Sequence, residues 1–314
     1  MANDDAPRGV GQTAIGVARI RARESERADR LFHDPYAEAF VTAAQGAVAK
    51  QRTPPDERTP ANERTPADGL TPPNGLTSPD GPAPPDERMS LGEIFQERVV
   101  IRTRFLDDYL IASAAAGCRQ VVLLAVGMDT RGYRLEWPAG TQLFEIDQPD
   151  VLAFKDAVLN RQGAVPRCHR AALAADLREN WADALLDSGF RPSVRTAWLA
   201  EGLLIYLTAE EAGHLLTATT DLSAPGSRIA FEYNDTSDGS PVSRARTLPG
   251  MSRITSLWKG GLGSAAPDWL TRHGWQVQTR GVGPVAASYN RRISGQASGG
   301  FLTATRGEVT KGTH

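Results

Sequence analysis

At 314 residues the chain has room for one large or two small domains with a substantial core. Its net charge of −2 gives no basic field for a nucleic-acid partner, and no apolar run approaches the roughly 18 residues of a membrane span. The polar start Met1–Pro7 lacks a signal-peptide core, and the two cysteines, Cys118 and Cys168, with five scattered histidines support neither a disulfide framework nor a metal site, so a soluble, cytoplasmic protein is expected.

In chain order, residues 11–29 read as a helix whose apolar content is Ile15, Val17, Ala18 and Ile20, and Leu31–Tyr36 reads as a turn. Residues 1–45 are therefore taken as an N-terminal helical segment. An insert follows at 46–88. Within it, residues 52–87 form six consecutive hexads of the Arg-Thr-Pro-Pro-Asp-Glu type, with ten of the chain's 21 prolines and no aromatic residue. Such a tract buries too little apolar surface to offset its ordering entropy, so it is expected to be a disordered repeat in a tolerant loop rather than a docking tract. Residues 89–314 form the ligand-binding domain. Ser90-Leu-Gly-Glu93 is a capping box that opens a long helix to about Ala116, stopped by Gly117.

Strands are predicted at 121–126, 141–146, 168–173, 195–201, 228–233, 275–279 and 301–306. Between them, Gln148-Pro149-Asp150 opens a helix with proline suited to its first position and an acid in its first turn. Thr208-Ala-Glu-Glu211 is a second capping box, for a helix ending near Pro225. The alternation predicts an α/β fold: a Rossmann-like, doubly wound, mostly parallel seven-stranded sheet, with the last pair antiparallel at one edge. Polar, glycine-rich sequence at 234–270 around Trp258 interrupts the pattern and is expected to be a lid over the acceptor.

The first strand runs into Gly127, and twenty residues later a second apolar run ends on Asp147. The glycine lets backbone approach a ligand, and the acid can accept from ribose hydroxyls. There is no G-x-G-x-x-G, since Ala125 and Val126 precede Gly127 and the next glycine is Gly132. No Lys-Ser/Thr follows to make a P-loop. A nicotinamide oxidoreductase is thereby disfavoured. A cofactor with ribose but no phosphate fits better, and S-adenosylmethionine is the common one.

Four stretches occur in order: Leu123–Leu135, Phe144–Pro149, Ala175–Arg178 and Ala200–Leu207. With Asp34–Phe40, Arg102–Asp108 and Gly300–Arg306 they resemble the bacterial S-adenosylmethionine-dependent methyltransferases related to leucine carboxyl methyltransferase. That resemblance implies the class I methyltransferase version of the fold and covers nearly all the chain outside the repeat.

In open parallel sheets ligands bind beyond the carboxyl ends of the strands. Gly127, beside Ala125, would border the methionine portion of the cofactor, and Asp147 would take the ribose hydroxyls. Asp176 could accept from the adenine amino group, while Leu177 offers a backbone amide and an apolar face. Glu201 would lie near the methionyl amino group and the sulfonium. The resemblance implies the same roles. Each acid has a plainer alternative: Asp129 as a turn former, Glu145 as a solvated strand residue, Asp147 and Asp176 as helix caps. Glu201, in an apolar run, is the hardest to explain without function. The resemblance also implies an arginine against the cofactor carboxylate. Arg102 and Arg104 cannot share a helix face, so one should hold the cofactor, with Arg104 slightly preferred, while the other pairs with Asp107 or Asp108. Relatives commonly carry smaller residues where Ala125 and Val126 stand, so extra methyl groups are expected beside the cofactor.

Glu201 and Tyr206 are the catalytic candidates. The expected reaction is methyl transfer to a carboxylate or hydroxyl oxygen of a small molecule, such as a natural product. No motif supplies a general base, His33 and His273 being isolated, which tilts the expectation towards a carboxylate that needs none. The alternative is a non-catalytic protein that binds the cofactor or its product. The sequence has no readable code for oligomeric state.

Overall fold

Strand β1 (Gln120–Leu124) is buried along its whole length because its side chains serve two cores. Val122 and Leu124 join Phe144, Ile146 and Trp198 on one face, while Val121 and Leu123 join Leu143, Leu199 and Ile101 on the other. A strand covered on both sides calls for this unalternated apolar run. Each such side chain contributes about 1.5–3 kcal/mol by leaving water.

The computed structural model describes residues 10–52, 91–233, 255–293 and 299–308. The other strands are β2 (Gln142–Asp147), β3 (His169–Ala174), β4 (Thr196–Ala200), β5 (Arg228–Tyr233), β6 (Trp275–Gly281) and β7 (Gly300–Arg306). They form one sheet of order β3-β2-β1-β4-β5-β7-β6. The first five pair in parallel, and β7 runs antiparallel to both β5 and β6. All seven predicted strands are present. The antiparallel strand β7 lies inside the sheet, and β6 is the edge.

Register decides where the site falls. Leu124 pairs with Ile146, Asp147 with Ala174, and Ala200 with Phe231. The strand ends are thus level, and Ala125, Asp147, Ala175, Glu201 and Glu232 emerge along one edge of the sheet.

Helices α1 (Val10–Glu26) and α2 (Ala37–Arg52) form the N-terminal segment, and α2 continues past the boundary expected at residue 45. Helix α3 (Leu91–Ala115) is followed by Gly117, whose φ of 101° suits a glycine stop. Helix α4 (Arg131–Arg134) is a single turn after β1, and α5 (Pro149–Arg161) starts on its proline as predicted. After α6 (Trp181–Asp187), both hydrogen bonds of the Thr208–Glu211 capping box open α7 (Ala209–Asp221). Short helices α8 (Ala266–Arg272) and α9 (Val282–Ser288) flank β6. Ser90 and its capping box, hexad residues 53–87 and residues 234–254 of the expected lid lie outside the described residues. Among the described residues no helix is long and apolar enough to cross a membrane.

Glu145 departs from its expected solvated position. It is fully buried in β2, where Lys155 Nζ of α5 meets its Oε2 at 2.7 Å and Arg170 of β3 adds a second cation. An interior strand has no wet face, so a charged residue there must bring its own counter-ions.

Candidate active site

The loop after β1 is shaped by two left-handed residues, Ala125 at φ 54° and Gly127 at φ 49°. Only glycine adopts that conformation without steric cost, so Ala125 carries local strain. Val126, between them, is buried in the core on the α3 side. Gly127 donates its backbone N–H to Asp147 Oδ2 at 2.6 Å, and Gln148 donates to Oδ1 at 2.7 Å. Asp147 is therefore not the cap of α5. It joins the ends of β1 and β2. Burial raises its carboxyl, and these two N–H groups partly offset that.

Helix α1 covers the loop. A Cβ added to Gly127 would stand 3.0 Å from Ala14 Cβ, while Arg21 donates to the Met128 carbonyl and pairs with Asp34 at 3.0 Å. Tyr206, in the 3-10 turn Leu204–Tyr206 after β4, approaches Thr13 Oγ1 of the same helix at 3.5 Å.

Arg131 opens α4 and organises the charges. Its guanidinium has 1% side-chain exposure. Its Nε donates to Asp107 Oδ1 at 2.7 Å, and its Nη1 meets both Asp129 Oδ2 and Glu201 Oε2, the latter at 2.6 Å. Asp129 Oδ1 also accepts from the Arg131 backbone N–H at 2.6 Å, so the turn-forming reading of Asp129 is correct and incomplete. Arg134 closes the group with two bonds to Asp107. Burial opposes charge on Asp129, but Arg131 foremost, then Lys155, Arg21 and Arg134, hold its carboxyl down at about 2.

Glu201 stands between two arginines. Its Oε1 is 2.8 Å from Arg102 Nε, and its Oε2 is held by Arg131. Burial disfavours its ionisation, yet Arg131 and Arg102 keep its carboxyl below the usual carboxylate range. Arg102 also gives Nη1 to Glu232 Oε1 at 2.8 Å. Arg104, the slightly preferred candidate, instead pairs with Asp108 one turn away, donates to the Leu31 carbonyl and lies over the Tyr289 ring. Two residues along a helix is a rotation of about 200°, so only one of the pair can face the strand ends.

Asp176 follows β3. Its carboxylate accepts from the backbone and side chain of Arg178, which hold its carboxyl well below the usual range. Helix α6 starts only at Trp181, so Asp176 shapes a turn and caps no helix. Leu177 is half-buried against the core that contains Trp198. The structure thus brings Arg102 and Glu201 together, joins Gly127 to Asp147, and leaves Asp176 and Leu177 along the same edge. Asp107, Arg131 and Glu232 were not read as site residues. Arg131 lies two positions after an acid in the Gly127–Gly132 loop, and Glu232 is near the end of a predicted strand, so strand-end position was the available signal for the latter.

The chain matches the family described as leucine carboxyl methyltransferase over residues 14–220. A Parafrankia sp. protein, named as a candidate S-adenosyl-L-methionine-dependent methyltransferase, is 47% identical over 300 residues, covering 95% of this chain and 87% of its own. A Frankia alni protein with the same description is 46% identical over 303 residues, covering 96% of each chain. The crystal structure of a DUF574 family protein from Streptomyces avermitilis has the same fold, with a TM-score of 0.56 at 14% identity over 92% of this chain and 96% of that one.

Proposed function

Since the chain belongs to the leucine carboxyl methyltransferase family and is an S-adenosylmethionine-dependent methyltransferase, we propose that it methylates an oxygen of a small molecule, a carboxylate in preference to a hydroxyl. The cofactor, when bound, supplies a methyl group already activated on a sulfonium. The protein's own task is then to align the acceptor and exclude water, and proximity and orientation can be worth on the order of 7–11 kcal/mol.

The residues at the strand ends fit this cofactor. Arg102 and Glu201, 2.8 Å apart, offer a cation and an anion to the carboxylate and ammonium of its amino-acid end. Gly127 and Ala125, on the loop that follows β1, would border that end. Asp147 is suited to the ribose hydroxyls, Asp176 to the adenine amino group, and Leu177 to the ring. Tyr206, in the turn after Glu201 and 3.5 Å from Thr13 of α1, would border the reacting centre.

One observation carries the preference for a carboxylate: Glu201 lies between Arg131 and Arg102, which hold it ionised and make it a weak proton acceptor. Asp129 is held ionised in the same way, and His33 and His273 are both exposed. A phenol or alcohol needs a proton acceptor, whereas a carboxylate at neutral pH does not.

Incubating the protein with methyl-labelled cofactor and a metabolite extract tests this, because mild alkali hydrolyses methyl esters and spares methyl ethers. Alkali-labile label is expected. Alkali-stable label on oxygen would move the assignment to a hydroxyl, and label on nitrogen or carbon would overturn oxygen transfer. Cofactor binding with no label on any acceptor would favour the non-catalytic alternative.

A further inference from the structure

Glu232, in β5, holds two parts of the site with one oxygen. Its Oε1 accepts from Arg102 Nη1 at 2.8 Å and from the Gly202 backbone N–H at 2.7 Å. Gly202 immediately follows Glu201 and turns the chain at φ 64°. The same carboxylate therefore fixes a guanidinium on α3 and the backbone that carries Glu201. Arg98 and Arg102 face it from α3 and Glu201 from the end of β4, while Phe301, its neighbour on β7, brings no charge. Burial pushes the Glu232 carboxyl up, against the pull of Arg102.

Stability alone is a poor reason for this arrangement. Buried ion pairs often contribute no more than well-packed apolar residues of similar volume. Here the second oxygen, Oε2, is buried with no hydrogen-bond partner among the described residues. What the carboxylate does achieve is a fixed separation between Arg102 and the Glu201 turn.

We propose that Glu232 is a positioning residue that sets the spacing at which Arg102 and Glu201 receive the carboxylate and ammonium of an α-amino-acid end. The inference rests on the reading that these two residues take the methionyl portion of the cofactor. Glu232 itself acts only through them.

Two ligands separate this role from a general structural one. S-adenosylhomocysteine carries the amino-acid end; 5′-methylthioadenosine keeps the adenosine and sulfur but lacks it. Calorimetry on the full chain compares both probes for the wild type, Glu232→Ala and Glu232→Gln. Glu232→Ala is expected to weaken S-adenosylhomocysteine on the order of ten-fold or more while leaving methylthioadenosine within about two-fold. Glu232→Gln keeps an acceptor oxygen and should recover part of the loss. Should the alanine variant fail to fold, a selective loss in the glutamine variant still supports the role, and its absence refutes it. Equal weakening of both probes, or unchanged S-adenosylhomocysteine affinity, overturns the proposal. So does a wild type that binds the two probes alike, because the amino-acid end is then not recognised. None of these outcomes involves an acceptor, so they leave oxygen methylation to be decided by the alkali test.

Discussion

Arg131 Nη1 lies 2.6 Å from Glu201 Oε2 and so ties the loop after β1 to the turn after β4. The same guanidinium serves Asp107 and Asp129, which makes one fully buried cation the counter-ion of three carboxylates. Arg131→Ala is expected to lose about 3–5 kcal/mol of folding stability, since removing one partner strands buried charge. Arg131→Lys should recover little, because a point-like ammonium cannot match the planar fork. Urea denaturation measures both; a loss under about 1 kcal/mol would show that the network is not held by this residue.

Acid should unfold the protein through the same group. The Asp129 carboxyl lies at about 2 in the fold against an ordinary 3.8. The folded value is the lower one, so the unfolded chain takes up protons first as pH falls. The associated stability is complete above about pH 4 and disappears as pH drops through about 2, amounting to about 2 kcal/mol. Glu201 shifts in the same direction. Urea midpoints measured from about pH 5 to about pH 2 should fall steeply for the wild type and less steeply for Arg131→Ala. Parallel curves would remove Arg131 as the cause.

Ala125→Gly should stabilise the apoprotein. Alanine at φ 54° bears a left-handed cost of about 1–2 kcal/mol, against an entropic penalty for glycine of roughly 0.5–1 kcal/mol. The net gain is about 0.5–1 kcal/mol, visible as a higher melting temperature. A lower melting temperature would mean that the Ala125 methyl contributes more by packing than it costs in strain.

Asp147→Ala should remain folded and lose cofactor affinity. The variant leaves the Gly127 N–H without its acceptor, a local cost of about 1–3 kcal/mol. Asp147→Asn keeps an acceptor oxygen for Gly127 but loses the charge. Calorimetry with S-adenosylhomocysteine should find the alanine variant weaker by about ten-fold or more and the asparagine variant in between. Unchanged affinity in the alanine variant would refute a ribose role.

The sheet was legible because an unalternated apolar run has few other uses. Val121–Leu124 needs cover on both faces, and the acid or glycine that ends each such run marks the ligand edge. Helices with strong end signals, such as Thr208–Glu211, were equally readable. The single turn at Arg131–Arg134 and the seven-residue α8 and α9 are too short to display a period. Among site residues, the choice between Arg102 and Arg104 turned on the rotation of α3 about its axis, which packing against the sheet decides and spacing does not. Glu145 was misread for a related reason: its counter-ions, Lys155 and Arg170, lie in other elements and cannot be paired with it from sequence. Arg131 was overlooked because its three acids come from separate segments of the chain.

Helix α1 reaches Met128 across 107 residues of sequence and Tyr206 across 193. At the ribosome it emerges long before either partner has been made, so its contact with Met128 must wait for the loop after β1, and its contact with Tyr206 for the turn beyond β4. Contacts of such wide separation form late and slowly. The earliest of the described helices to be synthesised therefore completes its contacts in two stages, over the glycine loop first and against Tyr206 only once the turn beyond β4 exists.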